Sequence, residues 1–501
     1  MPTIKNTLLG LLILLLSSCA SSQKNYDPNK KYSRQQLEED YSLLRNILEK
    51  KHPSLYWYTG KDSMDMYFNK YFSAIQDSMT EQQFGWKILA PLTDKIHCGH
   101  TSFGMSRAYN RWVNNRKFPS FPLLMKCWND TMAVTASLIR NDIVFKRGTL
   151  ITAINGLHNK ELVDTLFGYM TEDGIANNVN YIRLSNNFPY YHRNVFGLSK
   201  QYRVQYLDSA GTEQTKMVPL FEFPKDSSKK STVIPPPKKT RHERKMERLQ
   251  AARSLAIDTT NNTAIITLNT FSSGRKLRRF FRQSFSYIKK TNISGVVLDI
   301  RNNGGGEINL STLLTKYVTR VPFKVADTVF AAAKSLGPYT KYIKGKFLNN
   351  IALFFLTKKR ADGHYHLGFL ERKFYRPKNT NHFGGDLYVL TGGLTFSASA
   401  LFCNDIKGQP GIKLVGEETG GGWHGNDGIM IPDITLPNTR LRVRLPLFRL
   451  VQYKHFPKNG HGIMPDIYIG PNYEALVKGY DKKMQVVMDM IRVKNAMSNK
   501  Q

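Results

Sequence analysis

Acidic residues are scarce in this chain: 38 Asp and Glu stand against 72 Lys and Arg, for a formal net charge of +34. Such an excess bears on solubility and on anionic surroundings, not on fold. No nucleic-acid-binding motif accompanies it, so an anionic envelope surface ranks above nucleic acid as a partner. Cysteine is scarcer still, with four in 501 residues. Past Cys19 only Cys98, Cys127 and Cys403 remain. That odd, scattered trio excludes a disulfide framework and a zinc-ligand pattern, so buried thiols are expected, with no metal and no cofactor. After residue 16 no run is long and apolar enough for a membrane span.

The first residues speak to the compartment. Lys5 supplies a positive start, and Leu8 to Leu16 is an apolar stretch too short to cross a bilayer comfortably. Leu16-Ser17-Ser18-Cys19 follows and resembles the lipobox of bacterial lipoproteins. The resemblance implies a signal peptide over 1–18, cleavage before Cys19 and acylation of that cysteine. The mature chain would be lipid-anchored in a bacterial cell envelope, facing the periplasm, with residues 19–32 as tether. An ordinary secretory signal is the alternative.

Length alone suggests about three domains. Ser33 with Gln36 reads as a capping box, and Leu37, Tyr41, Leu44 and Leu48 mark one helix face that His52-Pro53 ends. Further helices are expected over about 62–75 and from Thr80, with Gln83 as box partner, to about 90. Together they make an N-terminal helical region over 33–110. From 118 to 222 the period turns strand-like, with a short strand at Ala133–Ala136 and another inside Arg147–Gly156, then a helix from Lys160. The segment ending Ile154-Asn155-Gly156 resembles the corresponding stretch of PDZ domains, with Thr149 where Asp is usual. Residues 223–253, with Pro235 to Pro237 among many Lys and Arg, read as an exposed basic linker. From 254 to 470, strands at 264–268, 295–300, 387–391 and 412–416 alternate with glycine turns and helices, which means an α/β core. Residues 324–382 interrupt it as an insertion, and 471–501 is expected to be helical.

The chemistry concentrates in that core. A buried strand delivers the chain to Gly392-Gly393, and Ser397 then stands where a helix begins. A hydroxyl there gains from unpaired helical amides and the positive end of the dipole, although serine is also a common N-cap. Asp299 to Gly306 (DIRNNGGG), Thr395 to Phe402 (TFSASALF) and Gly416 to Gly422 (GEETGGG) follow in that order. With them the chain resembles the tail-specific, or C-terminal processing, serine peptidases, well over about 255–470 and more loosely before it. The resemblance implies a crotonase/ClpP-like α/β peptidase core, with an N-terminal helical bundle and an inserted PDZ-like β domain. It makes Ser397 the nucleophile, with Ser399 as a distant rival, and Ala400 replaces the usual Glu. It also implies an oxyanion hole from the amide of Gly305 or Gly306 with that of Ala398.

Many relatives take their base from a lysine soon after the third motif, but Gly422 stands there. The tricorn-like branch uses a histidine from the N-terminal region, and Gly99-His100-Thr101 resembles its segment. His100 is therefore the expected base and then general acid, with His97 and His424 as alternatives. The orienting acid stays open among Glu417, Glu418 and Asp94, because Asn459 stands near the position where that branch has a glutamate. The expected activity is hydrolysis of peptide bonds in envelope proteins or peptides near unstructured C-terminal tails. The competing readings are a catalytically inactive peptide-binding lipoprotein and a different acyl-transfer chemistry on the same scaffold. Oligomeric state is not legible.

Overall fold

The computed structural model describes residues 26–114, 116–223, 239–454 and 458–498. The signal peptide, Cys19, the first part of the tether and Pro235 to Pro237 lie outside the described residues.

The α/β core is a sheet sandwiched between helices. Among the described residues its strands run in spatial order Arg253–Asp258, Thr263–Leu268, Gly295–Asp299, Asp386–Thr391, Ile412–Gly416 and Ile467–Tyr468. The first pair is antiparallel and every later pairing is parallel. A parallel strand covered on both faces must be apolar throughout, and Gly295–Asp299 is buried along its whole length. Alternation then sorts the faces. Val296, Leu298, Leu387 and Val389 pack under the helices Leu277–Lys290, Ile308–Val318 and Ala398–Ile406. Val297, Tyr388, Leu390 and Val415 meet Val487, Met488 and Ile491 of the C-terminal helix Lys482–Ser498.

The N-terminal helices form as their capping boxes direct. Ser33 and Gln36 cap Arg34–Lys51 reciprocally, and Thr80 and Gln83 do the same for Glu81–Phe84. That second helix runs on through a π-turn, Gly85–Leu89, to Ala90–Asp94. These helices do not close a bundle core of their own. Leu37, Leu44 and Phe68 share one cluster with Val329, Ile434, Leu441, Val443 and Phe448. The buried Asp40 fastens the two ends of the chain, accepting the backbone N–H of Asn438 at 2.9 Å and of Thr439 at 2.8 Å, and the Thr439 hydroxyl at 2.6 Å.

Residues 123–219 build an antiparallel sheet, in the order Leu123–Trp128, Thr131–Ser137, Leu150–Ile154, Gln201–Leu207, Glu213–Pro219. Its core is its own and includes Leu162 and Leu166 of Asn159–Phe167 and Leu184 and Phe188 of Asn178–Phe196. The second of these helices kinks at Asn187, two residues before Pro189. The 324–382 segment is less of an interruption than its sequence implies. Its strand Thr328–Ala331 pairs with Phe448–Val451, which pairs in turn with Gly425–Ile429 beside the site.

Candidate active site

Strand Asp386–Thr391 ends in a turn tied down by Thr395, whose hydroxyl donates to the Ile300 carbonyl at 3.0 Å and accepts the Gly392 N–H at 3.1 Å. The chain then enters helix Ala398–Ile406 through Ser397, held at φ 55° and ψ −123°. A non-glycine residue there carries backbone strain of about 1–3 kcal/mol, which the surrounding contacts must over-determine. The strain lifts the hydroxyl out of the helix, and Ser397 is half-buried while Ser399 is fully buried inside it. The rival serine is therefore out of reach of a substrate.

The glycine turn after Gly295–Asp299 lies against this elbow. A Cβ on Gly305 would fall 2.8 Å from Ser397 Cβ and 3.0 Å from the Ala398 nitrogen, and one on Gly306 would fall 2.4 Å from the Phe271 backbone. Only bare backbone fits at either position. The Gly305 N–H is already engaged, donating to Asn303 Oδ1 at 3.0 Å. Among the described residues the N–H groups of Gly306 and Ala398 have no acceptor. Of the two glycines, Gly306 thus has the donor to spare.

His100 arrives from far earlier in the chain, on a loop after Ala90–Asp94. The loop is fixed by Thr101 N–H to Cys98 O at 2.9 Å and by Gly99 N–H to Asp173 Oδ1 at 2.8 Å. The His100 ring packs on Phe396, the residue before Ser397, at 4.7 Å between centroids. Gly99 has no room for a side chain: a Cβ there would fall 2.7 Å from the Phe396 ring. Ser397 Oγ and His100 Nε2 face one small space over Gly428, since a Cβ there would lie 2.8 Å from the first and 3.2 Å from the second. Burial drives the imidazole pKa down to about 3, helped by Arg444, Arg449 and Arg183 and opposed by Asp427. At neutral pH the ring is neutral, the form a base requires. Among the described residues its buried Nδ1 has no hydrogen-bond partner.

The three carboxylates expected as orienting acid lie elsewhere. Asp94 pairs with Lys95 at 2.8 Å, Glu417 pairs with Lys483, and Glu418 accepts from the Gly462 N–H at 2.7 Å and meets His461 Nδ1 at 3.2 Å. None of them hydrogen-bonds His100 among the described residues. Two aspartates that sequence reasoning missed stand beside it. Asp173 offers a carboxylate oxygen within 4.8 Å of ring nitrogen of His100 and of Cys98 Sγ. Burial pushes its pKa up to about 7, opposed by the N–H groups of Gly99 and Gly422. Asp427 accepts the Ser54 hydroxyl at 2.6 Å and the Cys98 thiol at 3.1 Å, and lies 3.6 Å from the buried Arg449 guanidinium. Burial works against its charge, yet Arg449, His52 and those hydrogen bonds hold its carboxyl below the ordinary range. Cys98, His100 and Asp173 together are the one set of metal-ligating type among the described residues. The only sign of Asp173 in the sequence is an acidic pair, Glu172-Asp173, before a glycine, which reads as a turn.

The remaining expectations sort plainly. His97 sits apart, its Nδ1 3.0 Å from Glu172 Oε1, and His424 packs its ring near Trp57. Gly422 donates its N–H to Asp173 Oδ2 at 3.3 Å, and a Cβ there would come 3.0 Å from Gly425 O, so a side chain in place of this glycine would press on that carbonyl. Asn459 is exposed and accepts only the N–H of His461, at 3.1 Å. Beside the histidine loop opens a cavity of about 270 Å³ that Gly99 and Ser102 share with Trp86, Tyr169, Arg183 and Arg444.

Residues 262–469 match the model of peptidase family S41. No curated protein matches the chain. Among solved structures, mature CPAF complexed with lactacystin superposes with a TM-score of 0.62 at 12% identity, covering 93% of this chain and 99% of that one. Mature CPAF alone gives 0.61 at 13% identity, over 92% and 98%. The photosystem II D1 C-terminal processing protease gives 0.35 at 14% identity, over 87% and 92%. With the α/β core, the serine elbow and the glycine turn in place, the match over residues 262–469 makes this segment similar to the serine peptidase domain of family S41.

Proposed function

We propose that the peptidase cuts peptide bonds by attack of Ser397 Oγ, with His100 as its base. The observation that carries this reading is the shared space over Gly428, which both Ser397 Oγ and His100 Nε2 border. A neutral imidazole takes the hydroxyl proton as the oxygen adds to the carbonyl, then returns it to the leaving amine. The N–H groups of Ala398 and Gly306 receive the oxyanion. Asp173 takes the positioning role left open in the sequence. It holds the histidine loop through Gly99 and the segment behind the serine through Gly422.

The substrate is an unstructured protein tail in a bacterial envelope, and the sheet of residues 123–219 offers it strand addition. The Cys19 anchor would keep the enzyme at the periplasmic membrane face. The cavity beside His100, with Arg183 and Arg444 and no acid in its lining, suits a carboxylate on the leaving side of the cut. An active-site fluorophosphonate probe tests the core of the proposal. Wild type should be labelled, Ser397→Ala unlabelled and His100→Ala strongly reduced. A folded wild type that takes no label would sink it.

A further inference from the structure

Helix Lys346–Leu356 is built inside out. Of its eleven residues only Asn349 and Leu353 are buried. Asn349 Nδ2 donates to the Lys344 carbonyl at 2.9 Å, and its neighbour Asn350 Oδ1 accepts the Leu336 N–H at 2.8 Å. The polar side chains thus point to the protein. Phe347, Leu348, Ile351, Phe354 and Phe355 form a continuous stripe at helical spacing on the outside, with Phe347 73%, Leu348 70% and Phe355 73% exposed. Soluble surfaces rarely carry so contiguous an apolar patch without a partner.

The surroundings say what that partner is. From Tyr339 to Arg360 the chain holds six cations and no acid. Lys341, Lys344 and Lys346 precede the stripe and Lys358 and Lys359 follow it, all five exposed, while Arg360 is exposed but paired with Glu371. A second copy of this face would bring like charges together and is disfavoured. Eleven residues are too few to span a bilayer. A short helix with an apolar face and cations at both ends suits the headgroup boundary of an anionic bilayer. We propose that helix Lys346–Leu356 docks the peptidase on an anionic phospholipid surface, with the Phe347–Phe355 stripe inserted and the flanking cations on the headgroups. The docking is independent of which residue is the nucleophile and of any acyl chain.

The test is co-sedimentation of residues 20–501 with vesicles in every arm, so that neither the apolar stretch Leu8–Leu16 nor an acyl chain on Cys19 contributes. Vesicles of phosphatidylglycerol with phosphatidylcholine should bind it and release it in high salt, and pure phosphatidylcholine should bind far less. Lys358→Gln with Lys359→Gln should weaken binding roughly thirty-fold, from about five-fold per cation. Phe347→Ser with Phe355→Ser should weaken it by about ten-fold or more. Unchanged fluorophosphonate labelling, or an unchanged melting curve where there is no labelling, shows that the variants are folded. Wild type that ignores anionic vesicles overturns the proposal, as do variants that bind like wild type. So does a dimer that the Phe347→Ser and Phe355→Ser changes dissociate without any vesicle binding.

Discussion

The Gly99 N–H donates to the buried carboxylate of Asp173 at 2.8 Å, across 74 residues of chain. The same carboxylate accepts the N–H of Gly422 behind the serine elbow. Asp173→Ala removes both acceptors and leaves two buried donors unpaired, a loss of about 1–3 kcal/mol each. The expected outcome is a lower denaturation midpoint together with a kcat loss that Asp173→Asn partly restores. A variant with full kcat would deny Asp173 its positioning role.

Gly428→Ala places a methyl in the space between the reactive atoms, 2.8 Å from Ser397 Oγ. Displacing a reacting group by about 1 Å costs on the order of 100-fold. Steady-state kinetics should show a loss of at least that size in kcat/KM with little change in the melting temperature.

The acid limb of the rate profile should lie well below pH 6.5. Burial holds the His100 pKa near about 3 in the folded enzyme, so the base stays unprotonated through the range where a free histidine would charge. The sign for stability follows from the same shift. Between about pH 3 and 6.5 the unfolded chain binds a proton here that the folded one does not, so this group's contribution grows as pH rises across that window. Asp173, raised to about 7 from 3.8, acts in the opposite direction, its contribution fading as pH climbs from about 4 to 7. Denaturation of His100→Gln and Asp173→Asn at pH 4, 5.5 and 7 separates the two slopes.

Relief of strain gives a prediction with the opposite sign for activity and stability. Ser397 sits at φ 55°, so Ser397→Gly should stabilise the fold by up to about 1–3 kcal/mol while abolishing probe labelling. Ser397→Ala should abolish labelling without that gain. Equal melting temperatures for the two variants would mean that the elbow stores no strain.

A charge preference should follow the cavity beside His100. Arg444→Ala is expected to lower kcat/KM by about ten-fold for peptides with an acidic residue on the leaving side, the size of one lost charged hydrogen bond. Neutral peptides should be cut at the wild-type rate.

Local signals carried much of this in the sequence. The capping boxes at Ser33 and Thr80 start helices where their spacing says, and the strand-turn-helix pattern around Ser397 survives intact. Periodicity shows which face of a helix is apolar but not what covers it. Leu37 and Leu44 therefore suggested a bundle, and the structure pairs them with strands near residue 440. The choice between Gly305 and Gly306 turns on where the Asn303 side chain points, which no pattern of residue types records. Asp173, in the pair Glu172-Asp173, and Asp427 stand in turn-like sequence, made important only by groups that arrive from elsewhere in the chain.

The clasp between Asp40 and Thr439 bears on the order in which the molecule comes into being. During synthesis the N-terminal helices emerge first, but their packing partners lie about 400 residues later, a very long-range contact that folds slowly. The strand Gly425–Ile429, which carries Gly428, pairs with Phe448–Val451 in the same late part of the chain. A chain that stops before residue 438 is expected to leave Asp40 and the apolar face of helix Arg34–Lys51 without these partners.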